Sequence, residues 1–205
     1  MLIKILIICV FVHNLAIAST LSKNALQLIK IGHEISSRDV TLRGQYFLLK
    51  SAFDLGDFDA MYEVSKQVRY GSKLMGYVPL ERVANEILIN LVRKSYDPAL
   101  YEYALNLLDG SDGFIKNEFL ALHLFEESFK VHGNAKSALM AAIICNESLV
   151  PGAKRLNYIN ELITFAILNN VAGAQAYQNQ YIRLDYLSDL NPPNWRIWVD
   201  TQVLN

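Results

Sequence analysis

Cysteine is nearly absent from this chain, with two copies in 205 residues, and one of them, Cys9, lies in the apolar stretch at the very start. Without that stretch Cys145 stands alone, so no intramolecular disulfide can form and stability has to come from core packing. Proline (5) and glycine (10) are also few, and they fall at the ends of helix-length segments rather than in strand-like turns. Convincing two-residue alternation is missing, which excludes a sheet-based fold. No lysine- or arginine-rich block occurs and the formal net charge is −1, which argues against nucleic acid or an anionic membrane surface as partner. There is no GxSxG, no phosphate-cradling glycine loop and no HExxH, so the familiar hydrolase, nucleotide and zinc-protease chemistries have no foothold.

What is present begins with MLIKILIICVFVHNLAIAST. One early lysine, an apolar run from Ile5 to Val12 and the small-x-small end Ala16-Ile17-Ala18 before Ser19 are the three parts of a secretory signal peptide. The run is too short to span a bilayer, and Cys9 lacks the small preceding residue that lipoprotein processing needs. A leader over 1–18 and a mature chain from Ser19 are therefore expected, with no membrane insertion after cleavage. The remainder reads as all-α, with helices near 22–34, 40–55, 58–70, 79–93, 97–108, 117–131, 134–145, 154–169 and 172–187. Asp97-Pro98 fits an N-cap followed by proline at the first helical position.

These helices repeat. DAMYEVSKQVRYG (59–71) aligns with PALYEYALNLLDG (98–110) at Ala60 and Ala99, Tyr62 and Tyr101, Glu63 and Glu102, and Gly71 and Gly110. The offset of 39 residues leads on to Ala138, and 36 further stands Ala174. A unit of that length is a helical hairpin that buries its apolar stripe only against its neighbours. The second helix of each unit ends alike: QYFLLKSAFDLGD, NEILINLVRKSYD, ALHLFEESFKVHGN and ELITFAILNNVAG pass from large apolar residues to a turn.

The order Gly56-Asp57, Ala60, Tyr62, Val64, Ser65, Gly71, then Ala99, Tyr101, Tyr103, Ala104, Gly110, and Gly113, Phe114, Asn117, Ala121, Ser128, Gly133 resembles the Sel-one-like repeat family, relatives of the tetratricopeptide hairpins. Ser65 stands where that family prefers glycine, and Val83 replaces its usual alanine. The resemblance runs over roughly residues 40–187. It implies an all-α, right-handed α/α solenoid of about four hairpins, a TPR-like superhelix. Its parts are a degenerate N-terminal repeat over 19–56, the array over 57–188 and a capping tail over 189–205.

The candidate chemistry is thin. His123 and Glu127 are four apart beside Glu126, but no third histidine or cysteine sits at ligand spacing, so the trio reads as a charged helix surface. No metal, cofactor or catalytic residue is expected, and Cys145 in ALMAAIIC reads as a buried structural thiol. Partner contacts are sought instead on first helices, at Glu63, Gln67, Glu102 and Asn106 on one face, with Tyr177 and Tyr181 further on. The tail NPPNWRIWVDTQVLN offers Trp195 and Trp198 either as a cap on the last repeat or as an anchor for a partner. What the resemblance implies is a non-enzymatic protein-binding scaffold. Exported relatives include periplasmic immunity proteins that neutralise secretion-system toxins, lipases among them. An envelope adaptor with an endogenous partner is the alternative; β-lactam binding or hydrolysis is more distant, because those relatives carry paired cysteines in each repeat.

Overall fold

The computed structural model describes the backbone of residues 2–72, 78–153 and 156–184, with side chains over the 17–180 part of these. Among the described residues it holds nine α-helices and no β-strand. They are α1 (Leu2–Glu34), α2 (Arg38–Leu55), α3 (Phe58–Tyr70), α4 (Glu81–Arg93), α5 (Asp97–Asp109), α6 (Glu118–His132), α7 (Ala135–Asn146), α8 (Leu156–Leu168) and α9 (Ala174–Leu184). The nine helix bounds lie close to those expected, with one large exception. α1 was expected from residue 22 and starts at Leu2. The reason is local: from residue 2 to Ile31 there is neither proline nor glycine, and leucine, isoleucine, alanine and lysine continue a helix with little to stop it.

Side-chain caps fix where several helices begin. Ser37 accepts the Val40 N–H, Asp57 the Ala60 N–H, Asn117 the Leu120 N–H, and Asn134 those of Lys136 and Ser137. Gly56 and Gly133 end α2 and α6 in the left-handed conformation, at φ 66° and 67°, where a Cβ is disfavoured. Pro98 was expected as the first helical residue behind an Asp97 cap; α5 starts one residue earlier, at Asp97, and Pro98 is its second residue.

The chain divides into two compact units, residues 1–99 and 100–205. In the first, sequence neighbours pack in order: α1 on α2, α2 on α3, α3 on α4. Ala25, Leu48, Ala52, Ala60 and Val64 form its core, edged by Ile29, Leu49, Met61, Val68 and Ile87. α1 and α2 approach so closely that a Cβ on Gly44 would stand 2.9 Å from the Ala25 carbonyl oxygen and 2.6 Å from the Ile29 side chain. A mid-helix glycine is costly by itself, and here it is what lets the two backbones meet.

In the second unit α6, α7, α8 and α9 likewise pack in sequence order. α7 is buried all round, with every residue from Ser137 to Cys145 inside, as an apolar run on all faces requires. Its one polar residue in that run, Ser137, shares a 2.6 Å hydroxyl hydrogen bond with the buried Ser128 of α6. The four repeat-register alanines, Ala60, Ala99, Ala138 and Ala174, all have no accessible surface. The side chain at that place in the unit therefore meets neighbouring atoms and not solvent.

Candidate functional site

The repeated tyrosines prove to be packing residues. Tyr62 lies edge-on to Tyr96 at 5.8 Å between ring centres, Tyr101 to Phe125 at 5.6 Å and Tyr103 to Phe114 at 4.9 Å. The Tyr101 hydroxyl is buried without a hydrogen-bond partner, and burial pushes it up to about 12. Cys145 is fully buried, and His123 is exposed on α6.

The residues nominated for partner contact separate into groups. Glu63, Gln67 and Glu102 are partly exposed, with Glu63 held 3.3 Å from Lys66. Asn106 was expected at the surface and is only 7 % exposed. The Gly110–Ser111 turn folds back over it: both backbone N–H groups donate to the Asn106 carbonyl, and the Ser111 hydroxyl donates to its side-chain oxygen. Tyr177, a candidate for the exposed face, is 4 % exposed. Its hydroxyl donates to Glu147 Oε1 at 3.0 Å and accepts from Asn146 Nδ2 at 2.9 Å, tying α9 to the end of α7. The side chains of Tyr181, Trp195 and Trp198, the 189–205 tail and the 73–77 segment lie outside the described residues.

Two features of the first unit were not singled out from sequence. One is a row on the outward face of α2. Tyr46, Lys50 and Phe53 follow one another at helical spacing, with Tyr46 58 % and Phe53 69 % exposed. Phe47 packs edge-on to Tyr46 at 5.7 Å, and Lys50 is paired with Asp54 at 2.8 Å. The signal was legible in QYFLLKSAF, which carries more large apolar residues than a single buried stripe can use.

The other is a cavity of about 230 Å³ at the head of α3, lined by Ala18, Ser19, Gly56, Asp57, Phe58, Asp59 and Tyr96. Asp57 is 6 % exposed; one oxygen caps α3 through the Ala60 N–H at 2.9 Å, and burial pushes its carboxyl up from the usual carboxylate value. Asp59 accepts the Tyr96 hydroxyl, whose acidity burial and then this carboxylate suppress. The Ser22 hydroxyl, wholly buried on α1, lies near enough to favour the charged form of Asp57 and has no hydrogen-bond partner. Among the described residues no cationic side chain lies within ion-pair distance of Asp57 or Asp59. The cavity wall is largely apolar, from Ala18, Phe58 and Tyr96, and the Asp57 and Asp59 carboxylates are the acceptors it offers a compact cation. The sequence shows the acids in GDFD but not their proximity to Ala18 and Ser19, which only the α1–α3 approach creates.

Comparison with protein-family models, with curated proteins and with solved structures finds no match for this chain.

Proposed function

We propose that this chain is an exported helical-repeat protein that acts by binding another protein, its hairpins forming a right-handed α/α solenoid of the Sel-one-like kind. The observation that carries the binding reading is the Tyr46, Lys50, Phe53 row on α2, with Phe47 against it. Aromatic rings held in water on a rigid helix supply apolar area at small entropic cost when a partner covers them. A neighbouring lysine and aspartate supply polar contacts at the rim. Glu63 and Glu102, partly exposed on first helices, remain candidate contacts of the same reading.

In its specific form, the proposed partner is a secretion-system toxin, for instance a lipase, and the protein is a periplasmic immunity factor that occludes it. The support is the resemblance together with the expected leader. The test is to purify the chain from the periplasm, mix it with the toxin encoded beside it, and measure complex formation and residual toxin activity. A stoichiometric complex with loss of activity is the expected result. Phe53→Ala should weaken the complex by at least tenfold while leaving the melting temperature unchanged, because Phe53 makes little of the core. Co-purification with a resident envelope protein instead of a toxin would favour the adaptor alternative and overturn the immunity reading.

A further inference from the structure

We propose that hydrolysis of the Ala18–Ser19 bond makes the ligand for the cavity at the head of α3: the new α-ammonium of Ser19, seated between the Asp57 and Asp59 carboxylates. The inference rests on the export reading for the cleavage and on the geometry of the first unit for the seat. A leader peptidase adds water across the bond. Hydroxide goes to the Ala18 carbonyl carbon, whose carboxylate departs with residues 1–18, and the proton goes to the Ser19 nitrogen, which is charged at neutral pH. Because Ala18 is 1 % exposed and its carbonyl lies within a helix, hydrolysis precedes folding of this unit.

Four observations converge on that seat. The bond expected to be cut, read from the leader pattern alone, borders the cavity itself. The two carboxylates lining it have no cation among the described side chains, and Asp57, 6 % exposed, has backbone N–H groups at the start of α3 as its donors. The buried Ser22 hydroxyl, one turn along α1 from Ser19, is near Asp57 and unpartnered. Last, the wholly buried Ser51 hydroxyl donates to the Ala18 carbonyl at 3.3 Å. Cleavage removes that acceptor and leaves the wholly buried Ser51 hydroxyl beside the new chain end. The shortened α1 begins at Ser19, where the helix dipole opposes a positive charge; the two carboxylates offset that opposition. The consequence is an order of events. The native head of the first unit is completed only in the processed chain, and export and final folding are coupled through one charge.

The test compares exported protein with and without a charge on that nitrogen. Intact-mass spectrometry of periplasmic protein should give a chain beginning at Ser19. Acetylating the Ser19 amine should lower the melting midpoint by about 5 °C or more, and Asp57→Asn, which keeps the cap, should do the same in the free-amine chain. In the acetylated chain the substitution should add little, the coupling expected of direct partners. Should Asp57→Asn fail to fold, the exposed Asp59→Asn gives the same comparison with a smaller loss. A chain beginning at Ser19 in which acetylation and substitution act additively overturns the proposal and leaves export standing. A mature chain that retains residues 1–18, or starts elsewhere, overturns the cleavage reading and the proposal with it.

Discussion

Replacing each repeat-register alanine by leucine tests whether the 39-residue spacing marks close helix contacts. Ala60, Ala99, Ala138 and Ala174 each have no accessible surface, so the three extra carbons of leucine meet neighbouring atoms rather than solvent. At Ala60 those neighbours are the core residues Ala25, Leu48, Ala52 and Val64. Overpacking of this kind costs about 1–3 kcal/mol per site, against which the added apolar area returns nothing if it cannot be accommodated. With a urea dependence of about 2 kcal/mol per molar, a loss of about 2 kcal/mol moves the unfolding midpoint down by about 1 M. The control is Asn90→Leu on the exposed face of α4, where a shift within about 0.5 kcal/mol is expected. Far-UV circular dichroism against urea reads both, with the transitions of the two units followed separately if they part. Midpoints for the four alanine variants indistinguishable from that of Asn90→Leu would refute the reasoning, because room for a leucine at those places means that the repeat does not record a close approach.

Three further outcomes follow from particular contacts. Gly44→Ala should destabilise by about 1–3 kcal/mol despite its better helix propensity, since its Cβ would meet the Ala25 carbonyl oxygen at 2.9 Å; urea titration measures it. Tyr101→Phe should be neutral or raise stability by about 1 kcal/mol, because it removes an unpartnered buried hydroxyl and keeps the ring against Phe125, as a melting curve would show. In the chain that retains residues 1–18, Asp57 has its folded pKa raised by burial above 3.8, so the folded state holds its proton more tightly than the unfolded one. Its contribution to stability is then fully present below that value and is lost as pH rises through the raised folded pKa. Asp57→Asn keeps the cap and lacks this loss, so its stability relative to the parent chain should increase from pH 3.5 towards neutrality in paired melts. In a chain beginning at Ser19 the order reverses, with the parent gaining at neutral pH as the carboxylate pairs with the ammonium.

Helix positions were legible because their signals are local. Gly56 and Gly133, the caps Ser37, Asp57, Asn117 and Asn134, and Pro98 act on their own backbone within a few residues. The buried alanines were legible for another reason: they recur at a spacing of 36–39 residues, and all four are enclosed. Surface placement was not. Asn106 and Tyr177 occupy faces that periodicity leaves open, and a turn covers the first while the end of α7 hydrogen-bonds the second. The outward aromatic row on α2 was hidden for the opposite reason, since an aromatic residue looks like core until its neighbours are known.

By itself, then, the sequence determined an all-helical chain, its helix ends apart from the start of α1, and the register of its small residues, since each depends on local backbone preference or on a spacing that recurs. The tertiary structure alone decided which polar side chains became buried, which rings stayed in water, and that two acidic residues at the start of α3 line one cavity with Ala18 and Ser19. Those outcomes depend on contacts between residues tens of positions apart, such as Ser51 with Ala18, and no local propensity encodes them.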